Sequence, residues 1–72
     1  MQHYSNSTGR SNILSYEIGA DFIIVQFKDY KQYKYSHHRA GSSNVDQMKK
    51  LAIQGWGLNT FISKYVRKLY DI

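Results

Sequence analysis

The apolar residues of this 72-residue chain change their repeat once, and that change limits the architecture more than any motif does. Up to His37 they recur at every second position, the repeat of a pleated strand; from Val45 onward they recur at every third or fourth, the repeat of a helix. Residues 12–18 put Leu14, Tyr16 and Ile18 on one side and Ile13, Ser15 and Glu17 on the other, and Gly19, Ala20 and Asp21 mark a turn. Residues 22–28 are β-branched and aromatic, with Ile23, Val25 and Phe27 on one face and Phe22 and Ile24 on the other. Residues 32–37 alternate again, Tyr33, Tyr35 and His37 against Gln32, Lys34 and Ser36. The link between them, Asp29-Tyr30-Lys31, has no Gly for a left-handed turn position. Short links force neighbouring strands to pair, so the pattern predicts a three-stranded antiparallel meander whose apolar face the remaining chain must cover.

Residues 38–42 read as a loop, after which Ser43 or Asn44 can cap a helix with Asp46 or Gln47 as the matching acceptor three residues on. Val45, Met48, Leu51 and Ala52 form its apolar stripe, and Gly55, Trp56 and Gly57 end it, the first Gly suiting the left-handed C′ position. Asn59 or Thr60 then caps a second helix with Ile62, Tyr65, Val66, Leu69 and Tyr70 on one stripe and Lys64, Arg67 and Lys68 opposite. The expected fold is α+β, in the order β-β-β-α-α. Both helices pack on the sheet face that bears Leu14, Tyr16, Ile23, Val25, Phe27, Tyr33 and Tyr35. Residues 1–9, rich in Ser, Asn, Thr and Gly, read as a flexible tail, and residues 10–72 as the single domain.

A chain this short buries only roughly 60% of its unfolded surface, so the core is thin. The aromatic share of 15% helps, because each ring buries much area. There is no cysteine, which leaves no disulfide and no thiolate metal site. No apolar run approaches the roughly 20 residues of a membrane span, and the polar start lacks the basic-then-apolar order of a signal peptide, so the chain reads as cytoplasmic.

Ten Lys and Arg against five Asp and Glu give a formal charge of +5, unevenly spread. Residues 1–27 hold Arg10 against Glu17 and Asp21, a net of −1; residues 28–72 hold nine cations against Asp29, Asp46 and Asp71, a net of +6. Such a basic part draws polyanions through its long-range field, or serves solubility alone.

Catalysis finds no constellation. His37 and His38 are adjacent and would point to opposite faces of a strand, with no carboxylate or thiol spaced to complete a metal set. Ser36 beside His37 has no identifiable third member for nucleophilic work, and Gly55-x-Gly57 lacks the strand before and the Lys-Ser/Thr after that a phosphate loop needs. No enzyme activity, cofactor, metal or small-molecule substrate is expected.

Binding has more to work with. Lys49, Lys50, Lys64, Arg67 and Lys68 lie on the two helices and would meet phosphates if the helices present them side by side. Lys34, Tyr30 and Trp56 are candidates for further contacts. Tyr33 and Tyr35 are either core or a base-stacking pair, and Trp56 is either a plug at the end of the core or an exposed stacking residue.

Several of these residues recur together in one family. Ser11, Asn12 and Ile13, then Tyr16, the run Ile24, Val25, Gln26 and Phe27, and the pair Tyr33-x-Tyr35 stand in order. Gly57, Leu58 and Asn59 follow, leading to Phe61 and Ile62, with Tyr65, Arg67 and Tyr70 near the end. In this order the chain resembles the KTSC domain, a small domain at the C-terminus of some lysyl-tRNA synthetases that also occurs as a stand-alone bacterial protein. The likeness covers about residues 10–70. It departs from the family at Asp29-Tyr30-Lys31, where a Gly-containing turn is common, and around His37, His38, Arg39, Ala40 and Gly41. The resemblance implies an α+β fold and, through the synthetase context, RNA as the partner. The alternative is a protein partner or a second copy of this chain, held through Phe22 and Ile24 on the second sheet face or through a strand edge.

Overall fold

The computed structural model describes residues 1–6, 9 and 11–71. The alternating segments become strands: β1 (Gln2–His3), β2 (Ile13–Ile18), β3 (Phe22–Phe27) and β4 (Gln32–Ser36) form one antiparallel sheet in that order. The sheet thus has four strands where alternation predicts three. At two residues, β1 is too short to show a period. It pairs Gln2 with Tyr16 and His3 with Ser15, and Tyr4 anchors it. Only 1% of Tyr4 is exposed, its ring meets Tyr16 edge-on at 6.5 Å, and its hydroxyl accepts the Leu58 N–H at 3.4 Å. Gln2 and His3, expected in a flexible tail, therefore belong to the sheet and Tyr4 to the core, while Ser7 and Thr8 of that tail lie outside the described residues, as do Arg10 and Ile72.

A β-bulge in β2 changes which residues face inward. Ile13 pairs with Phe27 and Ser15 with Gln26, so Leu14 is the extra residue between them. Strict alternation puts Leu14, Tyr16 and Ile18 together; the inserted residue puts Ile13 and Tyr16 on the core face instead, both buried, and leaves Leu14 half-buried. On β3 and β4 the expected face holds for Ile23, Val25 and Tyr35, all buried. Phe27 and Tyr33 reach only the rim, where their rings meet edge-on at 5.7 Å.

The helical layer begins earlier than predicted. His37 leaves the strand, and residues 38–42 are not a plain loop: α1 (His37–Ala40) is a helical turn capped by Ser36, whose Oγ accepts the Arg39 N–H at 3.2 Å. The next helix, α2 (Ser42–Gln54), starts at Gly41 without the side-chain cap expected from Ser43 or Asn44; Asn44 instead donates to the Ala40 carbonyl at 2.8 Å. Its stripe of Val45, Met48 and Ala52 is buried, with Leu51 half-buried, and Gly55 ends it left-handed at φ 91° with its N–H on the Leu51 carbonyl. After Gly57, also left-handed, α3 (Leu58–Phe61) runs without a break into a π-helical turn over Ile62–Val66. Asn59 and Thr60, expected as caps, lie inside α3.

The second stripe keeps Ile62, Val66 and Tyr70 and loses Tyr65 and Leu69. Leu58, Ile62 and Val66 are buried, whereas Tyr65, inside the π turn, and Leu69, beyond the end of helical structure at Val66, are exposed; Tyr70 turns back onto Tyr33 and Tyr35. Asp71 closes this return: its N–H donates to the Lys34 carbonyl at 2.6 Å, and its carboxylate accepts the Ser36 hydroxyl at 2.9 Å. Among the described residues no helix is long and apolar enough to cross a membrane.

Candidate nucleic-acid interface

The turn between α2 and α3 fixes the most distinctive surface. Gly55 and Gly57 both take left-handed backbone, and Trp56 stands between them. Trp56 is 52% exposed, so it is not a plug. The backbone around it is held firmly. Gln54 donates to the Trp56 carbonyl at 3.1 Å, Phe61 donates its N–H to Gly57, and the Ser5 side chain packs where a Cβ on Gly55 would sit.

Beside Trp56, α2 and α3 leave an open groove of about 740 Å³, lined by Gln47, Leu51, Trp56, Thr60, Phe61, Lys64 and Tyr65 among others. That volume lies within the roughly 300–1,000 Å³ of small-ligand sites. Tyr65, 61% exposed, leans on Phe61 with the rings 4.8 Å apart and tilted by 39°. The helix loosens into its π turn at this point, a departure that in helices often accompanies a functional site. Among the described residues the lining includes Lys64 and no carboxylate. Tyr65 and Phe61 escaped sequence reasoning, which assigned Tyr65 to the core stripe; the π turn that swings it outward has no signature in the periodicity.

The five helix cations expected to act together are divided among four places. Lys64 lines the groove. Arg67 and Lys68, both exposed, border a separate, smaller depression with Phe27, Tyr33 and Tyr70. Lys50 is exposed on the outer side of α2. Lys49 lies about 200° around α2 from the groove-lining Leu51, at about 100° per residue, and its ammonium donates to the Ala20 carbonyl at 3.2 Å in the β2–β3 turn. Lys34 stands on the far face of the sheet, its ammonium 4.7 Å from the centre of the Phe22 ring. Tyr30 is 77% exposed at the tip of the β3–β4 hairpin.

Few of these charges are neutralised. Among the described residues the one ion pair is His37 Nε2 with Asp46 Oδ1, 3.4 Å apart and not in hydrogen-bonding geometry. Asp71 is tied to β4 and Asp29 accepts the Lys31 N–H in its own turn. The carboxylates of the basic part thus serve local structure, and Lys50, Lys64, Arg67 and Lys68 are exposed with no carboxylate partner among the described residues.

Tyr33 and Tyr35 both pack with the core, Tyr35 within it and Tyr33 at its rim. Tyr35 is core: burial, and then the nearby phenols of Tyr33 and Tyr70, push its hydroxyl up to about 12. Tyr33 is half-buried under Tyr70, 4.8 Å between ring centres. Burial also raises Tyr4, partly offset by the Leu58 N–H that its oxygen accepts.

No protein-family model, curated protein or solved structure matches the chain.

Proposed function

We propose that this chain is a KTSC-like accessory domain that binds nucleic acid, RNA before DNA, through its helical layer. The observation that carries this reading is the set of exposed cations, Lys50, Lys64, Arg67 and Lys68, that have no carboxylate partner among the described residues, with Lys64 sharing a groove with the exposed Trp56. Such cations bind phosphates by releasing counterions, and a protruding Trp adds a stacking surface. Lys49, held at the β2–β3 turn, and Lys34, on the far sheet face, have no part in the contact surface.

A protein partner or a second copy on the far sheet face has less to recommend it. Phe22 and Ile24 are half-buried there, and Lys34 lies over the Phe22 ring. The test is a titration of labelled single-stranded RNA, duplex RNA and DNA over a salt series, with the parent and with Lys64, Arg67 and Lys68 all changed to Gln. The triple variant keeps its fold and binds more weakly, and each lost contact flattens the log-affinity against log-salt slope by about 0.7 on single strands and 0.9 on duplex. Equal binding and equal slope in the two proteins refute the assignment.

A further inference from the structure

The charges explain attraction to any polyanion, but not why aromatic rings line the groove between α2 and α3. Trp56 and Tyr65 are each more than half exposed, in a domain whose other large rings, Tyr30 apart, are mostly withdrawn into the core or its rim. Exposing them gives up burial that a small core needs, so these two rings are available for a ligand. Both line one groove, with the Phe61 ring supporting Tyr65 from within and Lys64 on the same helical segment. Gln47 and Thr60, both exposed, bring an amide and a hydroxyl to the same walls.

We infer that this groove is a pocket for one unpaired nucleobase, stacked on Trp56 and Tyr65, with Lys64 at the adjoining phosphate and Gln47 and Thr60 within reach of the base edge. The inference rests on the nucleic-acid reading above and narrows it to single strands, loops and ends. A paired base hides both its faces in the helical stack and cannot lay one on a side chain; an unpaired base can. Among the described residues no carboxylate lines the groove, which suits an anionic ligand, and a flat ring next to a phosphate matches flat rings next to a lysine. The turn that presents Trp56 is itself braced by the N-terminal segment, through Ser5 against Gly55 and the Tyr4 hydroxyl on Leu58, which holds the pocket in shape before a ligand arrives.

Trp56 is the one tryptophan of the chain, so its emission reports on the groove directly. The experiment titrates the full chain with single-stranded RNA and with the same sequence as a duplex, following Trp56 emission and the anisotropy of a labelled strand. It compares the parent with Tyr65→Leu, Tyr65→Phe and Lys64→Gln. Single-stranded RNA quenches Trp56 and duplex does not. Tyr65→Leu loses about 5- to 150-fold in affinity, the range for removing one stacked base, with its salt slope unchanged. Tyr65→Phe, which keeps the ring, binds as the parent does, and Lys64→Gln flattens the salt slope by about 0.7. Salt-dependent RNA binding with Trp56 emission unmoved, or with Tyr65→Leu at parental affinity, overturns the pocket and leaves the phosphate-binding surface standing. Equal quenching by duplex likewise overturns it. Absence of affinity for every oligonucleotide overturns both.

Discussion

Tyr35 links the stability of the fold to alkaline pH through one buried hydroxyl. Below the ordinary tyrosine value of 10.0 the phenol is protonated whether the chain is folded or not, and the stabilisation from its burial is complete. Between 10.0 and about 12 the unfolded chain releases the proton and the folded chain holds it, so stability falls as pH rises through that window. Urea melts of the parent show this decline, and Tyr35→Phe, with nothing to ionise there, reduces it to the part that the raised Tyr4 hydroxyl contributes, while leaving stability near neutral pH little changed. Tyr30 is a different case. It sits left-handed at φ 68° in the β3–β4 turn, where a non-Gly residue is strained by about 1–2 kcal/mol. Glycine relieves that strain but adds about 0.4–1 kcal/mol of unfolded-chain freedom. Tyr30→Gly therefore raises stability by about 0.5–1 kcal/mol, visible as a higher Tm; a lower Tm would mean that the ring makes contacts of its own. Tyr4 and Phe27 reverse the ranking that the sequence suggests. Phe27 stands in the most regular strand but is half-buried, whereas Tyr4 lies in a polar segment and is 1% exposed. Tyr4→Ala costs about 3–5 kcal/mol, as deletion of a buried ring does, and Phe27→Ala costs less. Equal losses in parallel urea melts would contradict the packing.

At the scale of elements, periodicity located β2, β3, β4 and α2 because each buries a stripe long enough to repeat. It failed where one residue changes the count or where an element is too short to have a period. Leu14 inserts itself into β2 and moves Ile13 to the core side; β1 is two residues; α1 is one turn set by the Ser36 cap. In the candidate site, Trp56 and Lys64 were legible from the Gly-Trp-Gly turn and the helical face, but the roles of Tyr65 and Phe61 depend on the π turn that local sequence does not signal. The grouping of the cations was not legible either, since Lys49 faces the β2–β3 turn only because Val45, Met48 and Ala52 take the core side of α2. The two turn glycines are unequal for a physical reason. A methyl on Gly55 would lie 2.7 Å from the Ser5 Cβ, whereas on Gly57 the nearest atom is Leu51 at 3.5 Å. Both substitutions pay for left-handed backbone, but Gly55→Ala must also displace Ser5. Thermal melts therefore rank Gly55→Ala as the more destabilising, and its Trp56 emission shifts as the brace loosens. The opposite order would separate the N-terminal segment from the turn.

For the molecule as a whole, apolar burial and charge are distributed for different ends. The sheet and the two longer helical segments close a core around Ile23, Val25, Met48 and Val66, while the far sheet face stays polar apart from Phe22 and Ile24. The positive charge collects in the second half of the chain, and the carboxylates there hold turns and strand ends in place, leaving Lys50, Lys64, Arg67 and Lys68 to the solvent. A surface of that kind attracts phosphates with a strength set by salt, and the most direct test is the salt dependence itself. Affinity of the full chain for a single-stranded RNA, measured by anisotropy across a salt series near physiological ionic strength, falls with a log–log slope of about −3 if those four cations each meet a phosphate. A flat dependence, or no measurable affinity at any salt concentration, contradicts the account and leaves the positive charge as a means of solubility alone.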